Sequence, residues 1–311
     1  MTLPNFLVVG AGRAGTTSLH YYLRQHHDVY LPARKAPSHF YCVGAPAMGS
    51  LERRLSTRGH FVADPHAYEA LFDECSGQHA VGEVSPVYLA STAVAQRVAD
   101  RLAGVRIIAI LRDPIERVHA RYTARRRDGL DTTIDFATLV DRERRLPLVV
   151  DDSAGTYLAS GFVSHVLQTY LDVIAPERIR CYLYDGLRQD PGMLMADMMR
   201  FLDVDPDVPI DTRAAHNRSG GTITDPARRA LWTRTALART WLRPYLPERA
   251  RDRAFQFATR SVRAEPIEPA VYATLAELYQ PEVARLEGML DRDLSQWCAG
   301  PTPGERPRPR T

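Results

Sequence analysis

The chain has 311 residues, of which 45% are hydrophobic and 25% charged, with a net charge of +3. That length and composition suit a globular protein with a large buried core and exclude wholesale disorder. The nearly balanced charge excludes nucleic-acid binding through bulk charge, yet allows a local basic pocket for an anion.

In chain order, Phe6-Leu7-Val8-Val9-Gly10 reads as a buried strand. Its apolar run is too short for a signal peptide. The strand runs into Gly10-Ala11-Gly12-Arg13-Ala14-Gly15-Thr16-Thr17-Ser18 and then a helix with Leu19, Tyr22 and Leu23 on one face. Three glycines let backbone N–H groups approach an anion, the helix N-terminus adds a favourable dipole, and three hydroxyls follow. Gly10 and Gly15 have Walker A spacing, but Thr16 stands where that loop needs lysine. Gly10, Gly12 and Gly15 also fit the dinucleotide fingerprint G-x-G-x-x-G, with Asp28 near the distance of its acidic partner. The segment around Asp28, residues 26–32, makes a poor strand, which weighs against that reading.

Lys35 is the one lysine among 40 Lys+Arg and opens Lys35-Ala36-Pro37-Ser38-His39-Phe40-Tyr41. Further on comes Gly82-Glu83-Val84-Ser85-Pro86-Val87-Tyr88. A second apolar strand, Arg106-Ile107-Ile108-Ala109-Ile110-Leu111, leads into Arg112-Asp113-Pro114-Ile115-Glu116-Arg117-Val118. There Asp113 suits an N-cap, Pro114 the first helical position, and Glu116 a capping box. Arg112 closes a buried strand beside a helix N-terminus, where a cation needs an anionic partner. The following run Arg125-Arg126-Arg127 reads as a solvated face. Residues 162–173 read as a helix, and Ile179-Arg180-Cys181-Tyr182-Leu183-Tyr184 alternates as a strand. Residues 225–241 and 268–294 carry apolar side chains at helical spacing, including Leu275, Leu278, Val283, Leu286 and Leu290.

Strand–turn–helix units of this kind give an α/β fold with a parallel sheet, ligands at the carboxyl ends of its strands, and helical elaborations. One domain is expected over residues 1–300, followed by a disordered Pro/Arg-rich tail at 301–311. Cys42, Cys75, Cys181 and Cys298 are widely spaced, without CxxC or Cys/His metal spacing. No metal site is therefore expected, and the setting is read as cytoplasmic. No run reaches the roughly 20 apolar residues that span a bilayer, so no integral membrane association is expected.

Arg13-Ala14-Gly15-Thr16-Thr17-Ser18 resembles the 5′-phosphosulfate loop of sulfotransferases, K/R-x-G-T-T/S. Arg112-Asp113-Pro114, Arg117 and Tyr122 resemble the family's 3′-phosphate motif, R-D-P-x-x-R-x-x-S-x-Y, with Ala120 in place of its serine. Thr123 or a residue from another loop is a candidate substitute for that hydroxyl. The stretch 35–41 resembles K-E-P-H-F-F, residues 82–88 resemble G-E-x-S/T-P-x-Y, and Tyr184-Asp185-Gly186-Leu187 resembles Y-E-D-L. Asn217-Arg218-Ser219-Gly220 is similar to a late loop over the nucleotide, and residues 291–297 to a closing G-R-D-L-S-x-W signature.

The resemblance implies a nucleotide-kinase-like, P-loop-type sheet flanked by helices. It implies transfer of a sulfuryl group from 3′-phosphoadenosine 5′-phosphosulfate to a hydroxyl of a small-molecule, glycan or lipid acceptor, leaving 3′,5′-adenosine bisphosphate. Gly12, Arg13, Ala14, Gly15, Thr16, Thr17, Ser18, Arg112, Tyr184 and Arg218 would hold the nucleotide, with Tyr184 near adenine. Arg13 would neutralise the departing phosphate oxygen, and Lys35 would approach that oxygen or the sulfuryl group. The base is His39, whose ordinary pKa near 6.5 suits the task, or Glu83, which would otherwise orient His39 or Lys35. Phe40, Tyr41, Tyr88, Tyr157 and Phe162 fit either an acceptor pocket or the core. A homodimer is compatible with all of this. The rival readings are a kinase of the same fold, weakened by Thr16, and a non-catalytic nucleotide-binding relative.

Overall fold

The structure, a computed structural model, describes residues 3–43, 61–127, 134–149, 156–213 and 266–299, together with Thr235 and the backbone of 221–223 and 262–264. Its centre is a parallel sheet of β1 (Phe6–Gly10), β2 (Val29–Tyr30), β3 (Ala80–Val84), β4 (Arg106–Leu111) and β5 (Ile179–Leu183), in the order β2-β3-β1-β4-β5. Helices cover both faces, which is why β1 and β4 read as continuous apolar runs instead of alternating. Phe6, Leu7, Val8 and Val9 are all fully buried, as are Ile107, Ile108, Ala109 and Ile110. In register, Leu7 lies opposite Glu83 on one side and Ile107 on the other.

Strand order decides where a ligand can sit. From β1 the chain passes through α1 (Thr16–Leu23) to β2 on one side of the sheet. From β4 it passes through α5 (Pro114–Arg127) towards β5 on the other. Because β1 and β4 are neighbours, their outgoing loops diverge and leave a crevice at their carboxyl ends. Between these units lie α2 (His39–Cys42), α3 (Pro65–Glu69) and α4 (Thr92–Arg101). Beyond α5 come α6 (Phe136–Glu143), α7 (Ser164–Val173), α8 (Tyr184–Gln189), α9 (Pro191–Phe201) and α10 (Pro269–Leu290). The short strands β6 (Gly221–Ile223) and β7 (Val262–Ala264) pair antiparallel.

The helix α5 also borders a second core. Its Ile115, Val118 and Tyr122 pack with Leu139 and Val140 of α6, with Tyr157 and Leu158, and with Leu275 and Tyr279 of α10. The start of α7 shows how the C-terminal helix is locked in. The residue at its N-cap position, Val163, has no side chain able to cap. Glu282 of α10 supplies the cap: Oε1 accepts the Val163 and Ser164 amides at 2.7 and 2.8 Å, and Oε2 accepts the Ser164 hydroxyl at 2.6 Å.

The strands read at 6–10, 106–111 and 179–183 are present, with Tyr184 opening α8 instead of extending β5. The poor strand near Asp28 shrinks to two residues at the sheet edge. Residues 225–241, Thr235 apart, lie outside the described residues, as do Arg218 and the tail 301–311. Among the described residues, no helix is long and apolar enough to cross a membrane, and no cluster of His, Cys, Asp or Glu could hold a metal ion.

Candidate active site

The first loop leaves β1 at Gly10 and is tied to the neighbouring strand, its Ala11 amide donating to the Ile110 carbonyl at 2.7 Å. Arg13 and Gly15 both take left-handed backbone angles, with φ of 69° and 92°. At Gly15 glycine is required twice over. The angle favours it, and a Cβ there would lie 2.6 Å from Leu187 Cδ2 and 3.1 Å from Tyr184 Cε2. A Cβ at Gly12 would meet nothing within 4 Å, so space opens above the loop. No side chain caps α1, so its first amides suit an anion, with Thr16, Thr17 and Ser18 alongside. Thr17 is the more open of these hydroxyls; Thr16 and Ser18 are buried, and Ser18 bonds towards Tyr22. These features fit a 5′-phosphate.

Arg112 follows β4 directly and joins three elements. Its Nη1 donates to the Arg13 carbonyl at 3.0 Å, while Nε and Nη2 donate to Glu116 Oε2 at 2.9 and 2.7 Å. Its guanidinium lies over the Tyr184 ring, 4.6 Å from the centroid. The sequence-predicted residues Arg13, Gly15, Arg112 and Tyr184 therefore meet at the tips of β1, β4 and β5. The anionic partner expected for Arg112 is Glu116, which is 42% exposed and pairs sideways with the arginine. The capping box is thus half formed. Asp113 Oδ1 accepts the Ile115 and Glu116 amides at 2.7 and 3.2 Å. Burial pushes the Asp113 carboxyl up to about 7, and Glu116 adds to the rise.

Nothing on α5 replaces the missing serine. Ala120 is buried, and the Thr123 hydroxyl donates to the His119 carbonyl at 2.9 Å. Thr123 is therefore a core residue and not a substitute ligand. The arginine run is not a solvated face either. Arg125 donates to the Tyr157 hydroxyl, Arg126 donates to the Tyr122 hydroxyl and lies over its ring, and Arg127 is 6% exposed. Sequence reasoning also missed Arg117 as a buried charge. It donates to the Ser160 carbonyl, and burial lowers its pKa to about 10.

On the other side of β1, Lys35 donates to the Tyr21 hydroxyl and lies over that ring, which brings the ammonium to α1. His39 begins α2, 3% exposed, stacked on Tyr68 at 4.3 Å between ring centroids. Its Nδ1 lies 2.8 Å from the Val62 carbonyl. A carbonyl only accepts, so Nδ1 carries the proton and Nε2 keeps its lone pair. Burial lowers the His39 pKa, favouring this neutral form. Glu83 is 1% exposed, and burial pushes its carboxyl up to about 7, with the hydroxyls of Tyr88, Ser85 and Tyr68 pulling the other way. These contacts are looser than ordinary hydrogen bonds, since neither carboxylate oxygen has a partner at bonding geometry. Phe40, Tyr41, Tyr88 and Tyr157 are core residues, and Phe162 packs partly buried in the second core.

At the closing signature, Trp297 is 5% exposed and donates through Nε1 to Asp185 Oδ2 at 3.3 Å. That segment thus braces the turn bearing Tyr184, a structural role in line with packing.

No protein-family model matches the chain. Human bifunctional heparan sulfate N-deacetylase/N-sulfotransferase 2 is 25% identical over 206 residues, covering 66% of this chain and 22% of that protein. The membrane-associated sulfotransferase kil1 of Dictyostelium discoideum is 30% identical over 122 residues, or 39% of this chain and 23% of that protein. This chain thus spans less than a quarter of the length of these curated relatives. The crystal structure of a sulfotransferase from Alicyclobacillus acidocaldarius covers 96% of this chain and 99% of its own, at 27% identity and a TM-score of 0.72. With a similar fold over nearly its whole length, and with its two anion-suited loops meeting at the sheet's switch point, the chain is similar to sulfotransferases in both sequence and structure.

Proposed function

We propose that this chain transfers a sulfuryl group from 3′-phosphoadenosine 5′-phosphosulfate to an acceptor hydroxyl. One observation carries the reading. Arg112 binds the backbone of the first loop at Arg13 while stacking on Tyr184, which joins two anion-suited loops and an aromatic platform at one sheet edge. A nucleotide with phosphates at both ends of its ribose would engage both loops at once. The donor, when bound, supplies an activated sulfuryl group with a phosphate as leaving group.

The chain's own residues then divide the work. The amides at the start of α1, with Thr16 and Thr17, hold the 5′-phosphate, and Arg13 and Lys35 neutralise charge on the departing oxygen. Arg112 takes the 3′-phosphate, exchanging the half-exposed Glu116 for it. His39 Nε2 accepts the acceptor's hydroxyl proton as the oxygen attacks in line with the breaking S–O bond. Its fixed Nδ1–H and lowered pKa favour His39 over Glu83, whose carboxyl is sealed among hydroxyls. Arg218, outside the described residues, is kept as a further phosphate ligand on resemblance alone. The acceptor is proposed as a small-molecule, glycan or lipid hydroxyl. A cytoplasmic setting is proposed from the wide spacing of the four cysteines, without CxxC or Cys/His metal spacing.

Calorimetry with 3′,5′-adenosine bisphosphate and with ATP–Mg²⁺ tests the reading. Binding of the bisphosphate in preference to ATP is expected. Tight ATP binding with none to the bisphosphate would transfer the chain to the kinases, where Thr16 in the lysine position already fits poorly. A mass-shift screen for added SO₃ on candidate acceptors then tests turnover.

A further inference from the structure

The surroundings of Glu83 converge on one residue of the site. The Ser85 Oγ accepts the Ser38 amide at 3.0 Å, and the Tyr88 hydroxyl accepts the Phe40 amide at 3.1 Å. Each hydroxyl has a single hydrogen left to donate, and both face the Glu83 carboxyl. The third hydroxyl beside that carboxyl belongs to Tyr68, whose ring stacks on His39 with an interplanar angle of 9°. Ser38 and Phe40 are the residues on either side of His39. Three hydrogens thus seek an acceptor, and a buried carboxyl has two oxygens without partners at bonding geometry.

We propose that Glu83 is the positioning residue for His39: its carboxylate gathers Ser85, Tyr88 and Tyr68, and through them fixes the backbone on both sides of His39 and the ring against its face. The proposal rests on the reading of His39 as the base. The titratable groups facing Glu83 are Tyr68 from α3, Tyr88 from the turn Pro86–Ala90, and Tyr170 from α7. Burial raises all three, so they stay neutral, whereas the Glu83 carboxyl, pushed up to about 7, changes charge near neutrality beside them. Losing that charge slackens the grip on His39 and adds to the acid limb of kcat.

The test compares wild type with Glu83→Gln in protein labelled with ¹⁵N-histidine, the His39 ring signals being assigned by their absence in His39→Ala. The glutamine variant is expected to move those signals and shift their titration midpoint. Its kcat should fall about tenfold, with the Kd for 3′,5′-adenosine bisphosphate held within about twofold. The acid limb of kcat should move to lower pH. Unchanged ring signals with unchanged kcat overturn the proposal, as does an unmoved midpoint accompanied by lost bisphosphate binding. Should the glutamine variant fail to fold, Ser85→Ala and Tyr68→Phe each remove one link and are read in the same way. Full turnover in His39→Ala ends the reading of His39 as base. The ring signals of Glu83→Gln then decide separately whether Glu83 positions His39.

Discussion

Arg112 binds a backbone carbonyl, a carboxylate and an aromatic face with one guanidinium. A planar fork can do this and an ammonium cannot, so lysine at this position should recover only part of what alanine loses. Arg112→Ala is expected to weaken 3′,5′-adenosine bisphosphate binding about 10- to 100-fold by calorimetry, the range for a charge-assisted hydrogen bond. Unchanged affinity would remove Arg112 from the nucleotide site. His39→Ala is expected to leave that affinity intact and lower kcat about 10²- to 10⁴-fold, the usual contribution of a general base. Arg112 was legible in the sequence because a cation ending a buried strand demands an anion. Its partner was not, because Glu116 at capping-box spacing has a local explanation that hides the sideways ion pair. Thr123 and the arginine run were misread for a related reason: a helix's sequence does not reveal that a second core packs against it.

At the scale of elements, the strands that could be read were apolar runs, as at 6–10 and 106–111, or alternated, as at 179–183. β3 could not, since Ala80-Val81-Gly82-Glu83-Val84 places a glycine and a carboxylate in a fully buried strand. The cap on α7 was equally hidden, because Glu282 stands 119 residues from the Val163 amide it accepts. Glu282→Ala would leave two buried amides and a hydroxyl without an acceptor. It is expected to destabilise the fold by about 1–3 kcal/mol in chemical denaturation, more than an exposed cap would cost. A loss no larger than that of a typical surface substitution would show that water satisfies those groups.

For the whole molecule, repeated strand–turn–helix units indicated a parallel sheet with its ligand edge, and the family motifs fell on the loops that the sheet brings together. Strand order was not legible, since sequence alone does not say that β1 and β4 are neighbours. Burial of charge in this sheet makes stability depend on pH. The folded state raises Glu83 from 4.5 to about 7, so it holds that proton more tightly than the unfolded chain does. The resulting stabilisation is complete below pH 4.5 and is lost as the pH rises through about 7, to a limit of ~3 kcal/mol. Asp113, raised from 3.8 to about 7, acts in the same direction. Glu83→Gln cannot ionise, so its stability relative to wild type should improve between pH 5 and pH 8. A relative stability that stays constant across that interval would show that Glu83 does not titrate there.

The α7 cap has a consequence for biosynthesis. Until α10 is translated, the amides of Val163 and Ser164 wait for a carboxylate that is not yet in the chain. Closing so distant a clasp carries a loop-entropy cost that short-range caps avoid, and it makes α10 complete a helix begun long before it. In a nascent chain stalled before Glu282 the start of α7 would thus lack its capping carboxylate.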